Sequence, residues 1–312
     1  MTTALFTHPS GFEHLMPPGH PERVDRLGAI EKALAVPAFD ALDRITARTC
    51  TEAQILRAHP QSHLNAIKAA APTQGGYRAL DPDTHMSPGT LDAAFHAVGA
   101  NIQAVELVMS GRADNSFCAM RPPGHHAEKT RPMGFCLFGN IAIAAKHALE
   151  HHGLSRVAIV DFDVHHGNGT QDLVWDDERI FFASTHQMPL YPGSGSERET
   201  GAHDNILNVP LDPETGGRGF RHKMETLVLP AVEAHDPEML FISAGFDAHL
   251  DDPLANLRLV EDDFAWATRQ ICDIAERTAK GRLVSSLEGG YDLGALAASV
   301  ASHVGALMEY GG

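Results

Sequence analysis

The residues best suited to chemistry in this 312-residue chain fall into four short stretches rich in Asp, His, Gly and Tyr. The first is DFDVHHGNGTQ, 161–171. On an extended strand, residues two apart face the same side, so Asp161, Asp163 and His165 share a face as the strand ends. Carboxylate and imidazole at that spacing can grip one cation. Polar strand-to-loop junctions also use Asp and His, but two Asp inside an apolar strand, followed by two His and two Gly, point to a metal. The second stretch, SAGFDAH at 243–249, carries Asp247 just past another apolar strand. Asp there could simply cap a helix. As a third ligand it would complete a set of two carboxylates and one imidazole, which offsets a divalent charge and leaves a position open for catalysis. Zinc, iron(II) and manganese are all compatible with such a set.

The third stretch is MRPPGHHAEKTRPMGFCLFGN, 120–140. Pro122 and Pro123 stiffen the approach to His125 and His126, and imidazole titrates near neutrality, so the pair suits proton transfer. Phe135, after Gly134, is placed either as the wall of an apolar slot or as plain core. The fourth is SLEGGYDLG, 286–294, where two glycines precede Tyr291. A phenol there could donate a hydrogen bond to a developing oxyanion, or pack on its ring as an ordinary loop residue.

Each stretch needs a strand to deliver it. Apolar runs at 4–7, 115–120, 156–162, 180–185, 238–244 and 281–287 read as buried parallel strands. Segments 90–109, 138–150, 221–235, 261–279 and 293–309 carry apolar residues at helical spacing. Alternating strand and helix predicts a parallel sheet covered on both faces. Ligands bind such sheets at the carboxyl ends of the strands, and four of these ends run into RPPGHH, DVHHGNG, GFDAH and EGGY. With no linker, repeat or low-complexity tract, residues 1–312 are expected to form one domain.

Composition narrows the partners. Asp plus Glu number 40 against 24 Lys plus Arg, a formal charge of −16, and no basic cluster stands out. Direct nucleic-acid binding is therefore not expected. A cationic substrate would suit such a surface. No apolar run reaches the roughly 18 residues of a membrane span, and the N-terminus has no secretion signal. The four cysteines form no CxxC pair, which fits reduced thiols and a cytoplasmic location.

These motifs, together with PPGHPERVDRLGAI (17–30), SPGTLDAA, YPGSG and NVPL, occur in an order that resembles the zinc-dependent histone deacetylase family over nearly the whole chain. The likeness is greatest to class II and bacterial histone deacetylase-like amidohydrolases. It implies a three-layer arginase/deacetylase-like α/β sandwich around a mostly parallel sheet. It implies zinc held by Asp163, His165 and Asp247, catalytic histidines His125 and His126, and Tyr291 polarising the acyl carbonyl. Asp161 and Asn168 match residues that hydrogen-bond the two histidines, Asn168 being the class II choice. Gly134, Phe135 and Tyr191 match the acyl-lysine channel, and Arg26 resembles an arginine near an internal acetate cavity. At the rim, Asp81 and Asp83 both qualify as the carboxylate that holds the substrate backbone. Structural potassium is implied at Asp161, Ser184 and the carbonyls of Asp163, His165 and Thr185. A second potassium ion would use carbonyls around Val174, Asp177 and Ile180.

The reaction so implied is hydrolysis of acetyl-lysine in a peptide or protein. An acetylated polyamine is the alternative substrate, and a homo-oligomer is compatible with either. A metal-binding scaffold without turnover is the non-enzymatic reading. An arginase-type hydrolase would need a second metal and a further pair of ligands.

Overall fold

The computed structural model describes residues 2–311. Among the described residues there are ten strands: β1 (Thr3–Thr7), β2 (Asp43–Thr46), β3 (Arg78–Ala79), β4 (His85–Met86), β5 (Asn115–Cys118), β6 (Val157–Asp161), β7 (Ile180–Gln187), β8 (Ile206–Leu211), β9 (Leu240–Ala244) and β10 (Leu283–Leu287). Eight of them form one sheet in the order β2-β1-β5-β10-β9-β6-β7-β8, while β3 and β4 pair as a small hairpin. Every pairing in the large sheet is parallel.

The alternation of side chains explains the layers. Ile159 of β6, Phe241 of β9 and Val284 of β10 pack on one face, against the helices Thr90–Met109 and Asn140–His152. Their neighbours Val160, Ile242 and Leu283 pack on the other, against Asp25–Leu34, Glu261–Thr278 and Leu293–Glu309. Strands buried on both faces read as continuous apolar runs, which is why they were legible. The result is the expected three-layer α/β sandwich around a parallel sheet.

Three departures from the sequence expectations have physical causes. β2 is an edge strand whose residues DRIT are largely exposed, so it carries no apolar signal. β8, the other edge, contains Pro210, tolerated because an edge strand needs fewer ladder donors. The helix expected at 221–235 is a broken one: Gly217–Lys223, a π-helical turn at Met224–Val228, then Leu229–Ala234. Pro230 lacks the N–H needed for an uninterrupted α ladder.

The strand order decides the site. β5, β10, β9 and β6 are consecutive in the sheet, so the four motif-bearing carboxyl ends lie side by side. Far apart in sequence, Ser286 stands opposite Cys118, Leu287 opposite Ala244, and Asp161 opposite Ser243.

Candidate active site

Beyond β6, Asp163 and His165 lie in the turn rather than on the strand, and Asp247 follows β9 in a tight turn that starts no helix. All three are buried, and their donor atoms lie within 4.8 Å of one another. Each carboxylate is aimed by a backbone N–H. Gly289 donates to Asp163 Oδ2 at 2.8 Å, and Val164 donates to Asp247 Oδ1 at 2.9 Å. His165 Nδ1 sits 3.2 Å from Asp163 Oδ1 and 3.0 Å from Asp247 Oδ2. Donors bound to one tetrahedral zinc would stand roughly 3.3 Å apart, given bonds of about 2.0–2.1 Å. Burial, and then the neighbouring Asp163, push Asp247 up to about 7. Two carboxylates so enclosed call for a cation between them, so the donor set fits the zinc that the family resemblance implies. Glycine is required here: a Cβ at Gly289 would collide with both carboxylates.

The tandem histidines differ in their hydrogen bonds. His125 Nδ1 donates to Asp161 Oδ2 at 3.0 Å. Burial opposes its charge, but Asp163, Asp161 and Glu288 outweigh burial and raise its pKa well above the ordinary value. His126 Nδ1 lies 2.7 Å from Asn168 Oδ1, while Asn168 Nδ2 donates to Glu128 Oε1 at 2.7 Å. The Asn168 oxygen must therefore accept, Nδ1 of His126 carries the proton, and Nε2 keeps its lone pair. Burial, then His125 and His165, hold the pKa of His126 well below the usual imidazole value. Neighbouring groups pushed in opposite directions are the mark of an acid–base pair.

A cavity of about 250 Å³ opens onto these groups. His126, His165 and Tyr291 line it, and so do the apolar side chains of Phe135, Tyr191, Leu190 and Leu254. Phe135 takes a positive φ of 69° and is a wall of the cavity rather than core. The preceding Gly134 lies so close to His126 that a Cβ would strike its ring. Tyr291 is buried, and burial followed by Asp247 raises its pKa well above 10, so it stands as a neutral phenol. Asp252 Oδ2 accepts its backbone N–H at 2.7 Å, and Asp292 caps the next helix through Ala295 N at 2.8 Å.

With this geometry in hand, comparison with known proteins is decisive. Residues 20–307 match the family model described as "Histone deacetylase domain". The chain belongs to the histone deacetylase family. It is 38% identical over 278 residues to the "Histone deacetylase-like amidohydrolase" of Pseudomonas aeruginosa, covering 88% of this chain and 73% of that one. It is 35% identical over 324 residues to a "Probable deacetylase" of Archaeoglobus fulgidus, covering 99% and 89%. Among solved structures, the HDA15 HD domain superposes with a TM-score of 0.93 at 32% identity, over 99% of this chain and 89% of that one.

Set beside the expectations drawn from this family, Asp161 meets a catalytic histidine: one oxygen faces His125 and the other accepts Asp163 N at 3.1 Å. Of the two rim candidates, only Asp83 lines the cavity. Asp81 ties the hairpin turn, accepting from Asp83 N at 3.0 Å and Thr84 N at 2.7 Å. Arg26 is not a channel wall. It is fully buried, its guanidinium is 5.0 Å from the Tyr291 ring centre, and it donates to the carbonyls of Gly290 and Glu288. Ser184 pairs in register with Asp161, as a shared potassium site would need. At the second potassium set the three carbonyls converge on one point. Asn205 Nδ2 lies 3.0, 3.2 and 3.1 Å from the carbonyls of Val174, Asp177 and Ile180.

Other residues that build the site were not picked out from sequence. Glu288 is fully buried at the end of β10. Its Oε2 accepts from Gly124 N at 2.7 Å and His125 N at 3.1 Å, and its Oε1 accepts from Ser243 Oγ at 3.2 Å. It thereby straps the histidine loop across the sheet. Its signal was available: a carboxylate ending an apolar strand, like Asp161. Beneath Tyr291, Glu22 pairs with both Arg26 and Arg121 in a fully buried network. Leu190 and Leu254 had no signal, because an isolated Leu in a loop looks like any other.

Proposed function

We propose that this chain is a zinc-dependent deacetylase that hydrolyses the amide of N-acetyl-lysine or a similar acylated amine and releases acetate. The observation that carries this reading is the buried Asp163–His165–Asp247 cluster at a narrow cavity shared with the lone pair of His126 and the phenol of Tyr291. Zinc bound by these three ligands would acidify a water and polarise the acyl oxygen.

The chain's own groups supply the rest. His126 Nε2 takes the proton of the attacking water, since Asn168 keeps its Nδ1 protonated. His125, charged and held by Asp161, stabilises the negative charge that develops. Tyr291 donates its phenolic hydrogen bond to the carbonyl oxygen as it becomes an oxyanion. When the C–N bond breaks, the amine departs with a proton from the histidine pair, and acetate keeps the water oxygen. Phe135, Tyr191, Leu190 and Leu254 enclose an unbranched alkyl chain and exclude water. Asp83 at the rim accepts a hydrogen bond from the substrate backbone or a second amine. Asn168 supports a class II type, and Asp161 with Ser184 would hold one structural potassium ion. We assign it to the cytoplasm as a single catalytic domain.

The net charge of −16 and Asp83 favour a cationic substrate, either a lysine-rich peptide or an acetylated polyamine. Zinc-loaded protein assayed on acetyl-lysine peptides, acetylpolyamines and longer acyl-lysines separates them. Turnover that is abolished by a chelator and restored by zinc is expected. Failure to hydrolyse any member of the panel would leave a metal-binding scaffold and overturn the proposal.

A further inference from the structure

Outside the active site, three imidazoles and one carboxylate converge on a single point between two helices. Glu106 lies on the Thr90–Met109 helix, and His147, His151 and His152 lie on the last turns of the Asn140–His152 helix. Their donor atoms lie within 4.8 Å of one another. All three histidines present Nε2 to the carboxylate. His147 Nε2 is 2.6 Å from Glu106 Oε1, His151 Nε2 is 3.7 Å from the same oxygen, and His152 Nε2 is 3.4 Å from Oε2.

We infer that this cluster is a second zinc site, closed by four protein ligands and clamping the two helices together. Zinc–nitrogen bonds of about 2.0–2.1 Å at tetrahedral angles place imidazole ring centres roughly 5 Å apart. The observed separations are 4.8 Å for His147–His151, 5.6 Å for His147–His152 and 5.0 Å for His151–His152. A lone carboxylate cannot satisfy three imidazoles. His147 takes the short contact, while His152 Nε2 is buried, aimed into the cluster and without a hydrogen-bond partner. Positions 147 and 151 share a helix face through their four-residue spacing. His152 closes the helix, whose negative C-terminal dipole favours a cation. The left-handed Gly153, at φ 69°, then turns the chain away. Arg57, whose charge reaches His147, is engaged by Glu150. His151 and Glu106 are about half exposed, so an ion can enter from solvent.

Four protein ligands leave no open position, so the site is structural rather than catalytic. It lies at the far end of a helix whose start, Asn140, touches the active-site loop through the Pro122 carbonyl. At 1.5 Å per residue the two ends are roughly 18 Å apart. Deacetylase activity should therefore not need it.

The test is zinc stoichiometry, measured by elemental analysis after equilibrium dialysis of the full chain stripped of metal. Wild type is expected to hold two zinc ions, and Asp247→Ala one. Adding His151→Ala and His152→Ala to Asp247→Ala should remove the remaining ion. On the wild-type background, the same two substitutions should leave one zinc and unchanged turnover. Glu106→Gln, which conserves shape, should weaken the second site in the same direction. An Asp247→Ala protein that holds no zinc, or a His151→Ala/His152→Ala protein that still holds two, would overturn the inference. Because the Asp247→Ala background reads this site alone, the result is independent of whether the catalytic proposal stands.

Discussion

The Asn168 side chain accepts a hydrogen bond from His126 Nδ1 at 2.7 Å, and its own amide is fixed by Glu128 at 2.7 Å. One uncharged side chain thus decides which nitrogen of His126 is free to act as base. Replacing it by Ala leaves the ring unoriented and both tautomers open. Asn168→Ala is expected to lower kcat/KM roughly 10- to 100-fold, as loss of an orienting partner does elsewhere, with zinc content unchanged. Wild-type kcat/KM in this variant would remove His126 as the base.

Tyr291 reaches the cavity from the loop after β10, with its backbone held by Asp252. Tyr291→Phe removes one oxyanion donor and keeps the ring. The expected loss is about 100- to 1,000-fold in kcat, with substrate binding retained in a direct binding titration. A variant that turns over near the wild-type rate would exclude the phenol from the reaction.

At the rim, Asp83 and Asp81 should separate cleanly. Asp83→Asn removes a charged acceptor at the cavity and should raise KM for a peptide substrate by roughly 10-fold, the scale of one charge-assisted hydrogen bond, while kcat changes little. Asp81→Asn weakens the turn it ties, so its effect belongs in stability, about 1 kcal/mol by urea unfolding. The opposite pattern would exchange their roles.

Glu288 is buried with three donors on its two oxygens. Glu288→Gln keeps the volume but turns one acceptor into a donor, setting N–H against N–H or against the Ser243 hydroxyl. The expected cost is roughly 1–3 kcal/mol of unfolding free energy, together with faster amide exchange at Gly124 and His125. Unchanged exchange there would show that the loop is held by other contacts.

Acid should destabilise the fold through buried neutral histidines that take no part in the metal cluster. Burial lowers His303 to about 3, and burial followed by His63 lowers His59 to about 3. Thr268 gives its hydroxyl proton to the Phe264 carbonyl, so His303 Nδ1 donates to Thr268 and its Nε2 accepts from Ser285. The unfolded chain binds protons on these rings near 6.5 and the folded chain does not. Their contribution is therefore complete above about pH 6.5 and is lost as pH falls towards about 3, by up to about 1.4 kcal/mol per pH unit for each ring. Urea unfolding between about pH 7 and pH 5 should show this slope, and His303→Gln should flatten it. An identical slope in the variant would mean that His303 already titrates in the native state.

Much of the fold was legible for a simple reason. Strands such as 156–162 and 238–244 are buried on both faces, and burial writes itself into composition as unbroken apolar runs. The edge strand β2 escaped because most of it meets water: DRIT looks like a loop. Glu288 ended an apolar strand in plain view, yet nothing local said that its oxygens would hold a loop 160 residues away. His147, His151 and His152 stood together on one helix, but their carboxylate partner, Glu106, comes from another.

By itself the sequence determined the reagents: two carboxylates and an imidazole near strand ends, adjacent histidines after a proline pair, a tyrosine after two glycines. It determined a parallel α/β sandwich through the periods of its apolar residues. Only the tertiary structure decided which reagents meet. The sheet order β5-β10-β9-β6 is set by packing among distant segments, and it places four loops side by side. Packing outside that sheet turns Asp83, not Asp81, to the cavity and sends Arg26 beneath Tyr291. Local spacing fixes what a residue can do, whereas long-range packing fixes its neighbours and hence what it does.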